Sequence, residues 1–197
     1  DCLLSRGLGD VYKRQGISTV DTLGRVNLAP FSHFNLVSTA PPVVMFSCNA
    51  PADRPEKDTI ANVRETGEFV TNLVTWSLRQ PMNASSFNAP RGVDEFELAG
   101  LDKAPSVLVK PPRVAASPAS MECRLLRIID IDPIGPDDTR SNVVFGLVVG
   151  VHLDDRYVDA DGYFDTARTE PLTRLDGNRY ATVGPLDVLG RPSPRRD

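Results

Sequence analysis

Seventeen prolines punctuate the chain from Pro30 to Pro194, alongside 14 glycines. Proline lacks the backbone donor and locks φ, so long helix interiors and central strands do not accommodate it. Punctuation at this density argues against a bundle of long helices and for strands joined by turns. The 197 residues suffice for one domain with its own core. A hydrophobic fraction of 41% with 24% charged residues is a globular balance, not a disordered or membrane one.

Between the breakers the elements are legible. Ile17 to Asp21 leads through Thr22-Leu23-Gly24-Arg25, a hairpin connection, into a return strand from Val26 to Ala29. His33 to Ser38 is a short segment before the turn Ala40-Pro41-Pro42. The apolar run Val43 to Cys48 predicts a strand buried on both faces. Asp58 to Glu65 predicts a helix with Asp58 as N-cap and Gly67 as its left-handed stop. Glu68 to Val74 reads as a strand, Trp76 to Phe87 as broken helical turns, and Val93 to Ala99 as a short helix. Ser106 to Lys110 predicts a strand. Met121 to Ile131 and Asn142 to Leu153 predict two long strands, suited to an antiparallel barrel or a bent sheet. Asp176-Gly177 offers a second hairpin turn. The expected architecture is one mainly β, barrel-like domain over residues 16–190 with a few short helices.

Residues 1–15 show neither period and read as a non-native or disordered leader, an ordinary flexible terminus being the alternative; residues 191–197 read as a tail. A net charge of -4 leaves no cationic footprint for nucleic acid. No apolar run approaches the roughly 18 residues a membrane helix needs. Cys2, Cys48 and Cys123 form no CxxC, and with only His33 and His152 they give no metal-ligand spacing. A cytoplasmic protein without metal is expected. No GxGxxG follows a strand, and neither GxxxxGK[ST] nor GxSxG occurs, so dinucleotide-fold, P-loop and hydrolase readings lack support.

The chemistry concentrates between Asn27 and Thr59. A loop carrying Arg54 and Lys57 runs into the N-terminus of the Asp58 helix. Open first-turn amides, the helix dipole and two cations suit an anion, preferably a phosphate. Thr59 and Ser47 can add hydroxyls. A capped surface helix with solvated charges fits the same residues. Upstream, Asn27, Ser32 and Asn35 sit among Pro30, Phe31 and Phe34, a mixture a flat heteroaromatic ligand would need. A half-buried strand pair with satisfied polar ends fits equally well.

An ordered series of motifs goes further. It comprises Ser18-Thr19-Val20-Asp21, Gly24, Asn27-Leu28-Ala29-Pro30-Phe31-Ser32, Phe34-Asn35, Pro41-Pro42, Lys57-Asp58-Thr59, Asn62 and Gly67-Glu68-Phe69-Val70. It continues through Asn72, Asn83, Ser85-Ser86, Asp94-Glu95-Phe96, Glu122-Cys123, Gly146, Val148 to His152, Arg174, Gly177 and Tyr180. From Gly16 to Val183 the chain resembles the flavin reductase-like family. One departure is the start: relatives open with Pro-Arg-Pro and an aliphatic residue, where this chain has Tyr12-Lys13-Arg14-Gln15.

The resemblance implies an FMN-binding split β-barrel, antiparallel and Greek-key-like. It implies an oxidoreductase that binds FMN and takes NADH or NADPH as transient reductant, with hydride passing from nicotinamide to flavin N5. Asn27, Ala29 and Ser32 would lie along the ring edge; Ser47, Lys57, Asp58 and Thr59 would hold the phosphate end. Arg54 joins that end on charge alone. Phe31, Phe34 and Tyr180 are candidate apolar walls, plain core or interface residues being the alternative. His152 matches a position that approaches the flavin in some relatives, a structural strand-end histidine being the alternative. A homodimer is implied, as is a flavin-dependent monooxygenase as recipient of reduced flavin. The alternative function is a non-catalytic flavoredoxin-like electron-transfer or flavin-binding module. The arginine and histidine signature of pyridoxamine-phosphate-oxidase relatives is not evident.

Overall fold

Strand β1 (Gln15–Val20) and strand β2 (Val26–Phe31) form the antiparallel hairpin that the Gly24 turn predicts. Asp21 closes that turn: its Oδ1 accepts from the Leu23 and Arg25 amides, each at 2.9 Å, and its Oδ2 from Arg25 Nε at 2.6 Å. Gly24 has φ 82°, a left-handed conformation that favours glycine. The computed structural model describes residues 14–51, 53–175 and 177–190.

Five more strands complete the main sheet: β3 (Phe34–Thr39), β4 (Pro42–Asn49), β5 (Glu68–Leu73), β8 (Ala119–Ile131) and β9 (Ser141–Leu153). Their order is β2-β1-β5-β8-β9-β4-β3, with every pairing antiparallel. The two edge strands, β2 and β3, are separated in the chain only by Ser32 and His33. A seven-stranded sheet can satisfy that link only by curling until its edges approach. The Phe31 and Phe46 rings meet edge-on at 4.9 Å across the seam, while Ser47 N, donating to His33 O at 2.9 Å, extends the β3–β4 ladder to the link. Register shifts between β8 and β9, with Val149 the extra residue on β9 and Leu126 on β8, give the long hairpin its bend.

Inside lie Ile17, Val44, Phe46, Phe69, Cys123 and Val144, all nearly inaccessible. The ring of Phe69 meets Phe46 at 5.2 Å and crosses over Gly146, where a side chain would collide with it. Helix α1 (Asp58–Thr66) plugs one end with Ile60 and Val63, which are fully buried, and Gly67 stops it at φ 70°. Its N-cap is Lys57, not Asp58: the cap residue makes no side-chain bond, and Asp58 is already helical. Helices α2 (Arg79–Ala84) and α3 (Glu95–Ala99) follow, the latter capped by Asp94 Oδ1 accepting from Phe96 N at 2.9 Å.

Other expectations are also corrected. Ser106 to Lys110 is not a strand; the two-residue strands β6 (Lys103–Ala104) and β7 (Arg113–Val114) pair on either side of it. The Val107, Leu108 and Val109 amides donate to the buried Glu122 carboxylate at 2.8, 2.5 and 3.0 Å, which removes the donors a ladder would use. Strand β4 is buried mainly on one face, because Val44 and Phe46 enter the core while Met45 and Ser47 remain half-buried. The hairpin after Thr173 forms as β10 (Thr173–Arg174) and β11 (Tyr180–Ala181); its Asp176 lies outside the described residues.

The leader boundary falls earlier than expected. Residues 1–13 and the tail 191–197 lie outside the described residues, but Arg14 and Gln15 belong to the barrel. Gln15 pairs with Phe31 and Leu73, and Arg14 N donates to Leu172 O at 2.9 Å. Arg14 is only 6% exposed, with its Nη1 on Ser32 Oγ and its Nε 3.1 Å from Met82 Sδ. Burial lowers the pKa of its guanidinium. Two residues are too short a stretch to show a period, and Gln15 is fixed by partners on both sides, in β2 and β5.

Candidate functional site

Strand β2 floors a cleft of about 500 Å³ that runs between the barrel seam, the loop before α1, and the segment after α2. Asn27, Ala29, Ser32, Ser47, Arg54, Lys57, Asp58 and Thr59, each marked in the sequence for ligand contact, all line it. Antiparallel pairing explains the convergence: β2 delivers Asn27 and Ala29 and runs on into Ser32, β4, returning beside β3, brings Ser47, and α1 projects its first turn over the same strand.

The groups differ in how free they are. Thr59 Oγ1 accepts from Asn27 Nδ2 at 3.0 Å, and Thr19 Oγ1 accepts from Asn62 Nδ2 at 3.1 Å, so α1 is fastened to β1 and β2 by buried polar bonds. Lys57 Nζ lies 5.5 Å from the Phe31 ring centroid and enters none of the ion pairs among the described residues. Arg54, expected as a second free cation, is instead a tether. Its Nη2 donates to Asn88 Oδ1 at 2.5 Å and its Nη1 to Ala89 O at 3.3 Å, and Nη1 stands 3.6 Å from Asp58 Oδ1. That last contact turns the Asp58 charge toward a cation at the helix start, where it would otherwise oppose an anion.

Other lining residues escaped sequence reasoning. Arg14 falls within the expected leader, and Phe87 within a stretch whose pattern predicts only broken turns, yet both line the cleft. Glu95 is buried, and its Oε2 accepts from Leu28 N at 3.0 Å. Burial raises its pKa, and the Leu28 amide only partly offsets the rise. Cys48 also borders the cleft; burial pushes its thiol up to about 11, against a smaller opposing pull from Lys57. Buried and protonated, it has little nucleophilic character.

The family model for the flavin reductase like domain matches residues 14–173. The chain belongs to that family. The split β-barrel implied by the sequence motifs is the fold observed, and membership makes this a flavin-related oxidoreductase. An uncharacterized Deinococcus radiodurans protein is 38% identical over 168 residues, spanning 84% of this chain and 71% of its own. Among solved structures, nitrilotriacetate monooxygenase component B from Bacillus cereus is 30% identical with a TM-score of 0.82, covering 94% of this chain and 92% of that one. Flavoredoxin from Desulfovibrio vulgaris (Miyazaki F) shares the fold, with a TM-score of 0.76 and 20% identity over 91% of each chain.

Within this flavin reductase-like chain, His152 is not among the residues lining the cleft. Its Nε2 lies 2.5 Å from Glu122 Oε1, on the carboxylate that also holds the 107–109 amides. Of the candidate aromatic walls, Phe31 and Phe34 are packed into the core, and Tyr180 lies against Arg14 at 5.6 Å. No helix among the described residues is long and apolar enough to cross a membrane. Among those residues no group of three or more His, Cys, Asp or Glu could hold a metal ion.

Proposed function

We propose that this chain is an NAD(P)H-dependent flavin reductase that binds FMN in the cleft floored by β2. The observation that carries this reading is Lys57: an ammonium with no ion-pair partner among the described residues, at the open first turn of a nine-residue helix, on the wall of a ligand-sized cleft. Such a place suits a phosphate, because the Asp58 and Thr59 amides precede the first intrahelical bonds, which run from the Ile60 and Ala61 amides to Lys57 O at 2.9 and 3.1 Å, and the dipole adds positive potential. The donor set therefore fits FMN. Lys57, Ser47, Thr59 and the first-turn amides would hold the phosphate end; Asn27, Ala29 and Ser32 would meet polar atoms of the ring edge.

Bound FMN would supply the hydride-accepting centre at N5. The chain's own task is then binding and orientation. Asn27, fixed by Thr59, presents its amide without rotational freedom, and Arg54 neutralises Asp58 beside the phosphate position. No acid–base residue is required of the protein, which accords with a cleft lined mainly by amides, hydroxyls and cations. On this reading NADH or NADPH is the reductant, the protein works as a cytoplasmic homodimer, and a flavin-dependent monooxygenase is the recipient. The Bacillus cereus likeness, a monooxygenase component, supports that partner class.

A flavoredoxin-like electron-transfer module is the second reading, favoured by the shared fold. Purified protein mixed with FMN and then with NADH or NADPH separates the two. A reductase turns yellow with FMN and consumes the nicotinamide absorbance catalytically; an electron-transfer module binds FMN without turnover. Protein that neither colours nor quenches FMN fluorescence would sink both.

A further inference from the structure

Phe87 lines the cleft while 64% exposed, and none of the ring contacts among the described residues includes it. An exposed phenylalanine forgoes the burial that ordinarily stabilises one. Its backbone, however, is held. Phe87 N donates to Ala84 O at 3.2 Å and Ala89 N to Phe87 O at 2.9 Å, while Ser85 Oγ and Ser86 Oγ donate to Met82 O and Asn83 O at 2.9 and 2.6 Å. From the loop before α1, Arg54 then grips Asn88 Oδ1 and Ala89 O. A segment tied at both ends presents its ring by construction rather than by fraying. Phe31, the other phenylalanine on the cleft wall, has its ring committed to Phe46 and the core. Phe87 is thus an aromatic side chain on the cleft left open to a ligand.

Resting on the flavin reductase reading, we propose that Phe87 is the stacking residue for the planar second substrate, the nicotinamide ring of the reductant, and that Arg54 positions it. The buried groups, Asn27 and Thr59, lie on the floor of the cleft and suit the ligand that stays. A ring still open at the rim suits the one that arrives and leaves with each turnover. A flat heterocycle laid on that ring gains stacking and excludes water from the contact.

The test compares FMN-loaded wild type, Phe87→Ala, Phe87→Tyr, Arg54→Ala and the Phe87→Ala/Arg54→Ala pair. It measures KM and kcat for NADH and NADPH, and FMN affinity by fluorescence quenching. The expected result for Phe87→Ala is a KM raised roughly 3- to 10-fold, with kcat and FMN affinity within about twofold, the range one aromatic contact contributes. Phe87→Tyr restores the wild-type KM. Arg54→Ala raises KM too, and adds less than about twofold in the Phe87→Ala background, as expected of residues acting through one contact. An unchanged KM in Phe87→Ala, or an equal loss of FMN affinity, overturns the proposal while leaving the reductase reading intact. Wild type that binds FMN but oxidises neither nucleotide refutes the reductase reading and this proposal together.

Discussion

Asn27 Nδ2 donates to Thr59 Oγ1 across 3.0 Å, and both residues are almost wholly buried. This bond joins the strand that floors the cleft to the first turn of the helix that opens on it. Asn27 reaches Thr19 only at 3.4 Å, so Thr59 is its principal acceptor among the described residues.

Thr59→Val keeps the shape and deletes that acceptor. The stranded Asn27 amide should cost about 1–3 kcal/mol of stability. A urea titration reads this as a lower midpoint at unchanged slope. An unchanged midpoint would mean that Asn27 finds another partner.

Lys57→Ala tests the phosphate end. A charge-assisted bond contributes about 1.5–3 kcal/mol, so FMN affinity should fall roughly 10- to 150-fold. Riboflavin has the same ring without the anion and should bind almost as before. Thr59→Ala should act in the same direction but less. Fluorescence quenching by both flavins checks the contrast; equal losses for the two would point to a damaged fold instead.

Glu122 predicts a pH dependence. Burial pushes its carboxyl up, but the Val107 amide, the His152 contact and the Leu108 amide outweigh burial and hold it below the ordinary carboxylate range. A carboxyl depressed on folding adds stability above its unfolded value, and that stability is lost as pH falls through the folded value. Glu122→Gln should therefore cost about 1–3 kcal/mol at neutral pH, where charge-assisted bonds are lost. The gap to wild type should close in acid. Urea midpoints from pH 7 downward measure it, and a gap independent of pH would assign the loss to packing alone.

Two glycines should respond oppositely to alanine. At Gly146 a Cβ would stand 2.3 Å from Cζ of the buried Phe69, so Gly146→Ala should cost about 1–3 kcal/mol by overpacking. At Gly16 the nearest atoms are Leu28 Cδ1 at 3.4 Å and Asn72 Cβ at 3.9 Å, beside a small apolar void. Gly16→Ala should stabilise by about 0.4–1 kcal/mol through a less flexible unfolded chain. Thermal midpoints of the two variants should move apart.

Much of the architecture was legible in the sequence where its cause is local. The turn over 22–25 marked the hairpin of β1 and β2, the length of the apolar runs marked β8 and β9, and Gly67 marked the end of α1. Of the cleft residues marked between Asn27 and Thr59, Ser32, Arg54, Lys57, Asp58 and Thr59 sit at links and a helix start, where composition and backbone conformation are coupled. Asn27, Ala29 and Ser47 lie in strands and came from the family resemblance. The failures share one property. Arg14, Arg54 and the amides of Val107 to Val109 owe their roles to partners beyond any local window, and the segment of Phe87 is held from outside by Arg54.

By itself, the sequence determined the hairpin turns, the Gly67 stop, the long apolar strands and the motif series, because each rests on the conformational preferences of a few neighbouring residues. The closing of the sheet, the capture of the 107–109 loop by Glu122, the burial of Arg14 and the presentation of Phe87 at the rim were decided only by the tertiary structure. Hydrogen-bonding groups go to whichever partner folding brings within reach. For Arg54 that partner is Asn88, 34 residues on, and no local pattern encodes such a meeting.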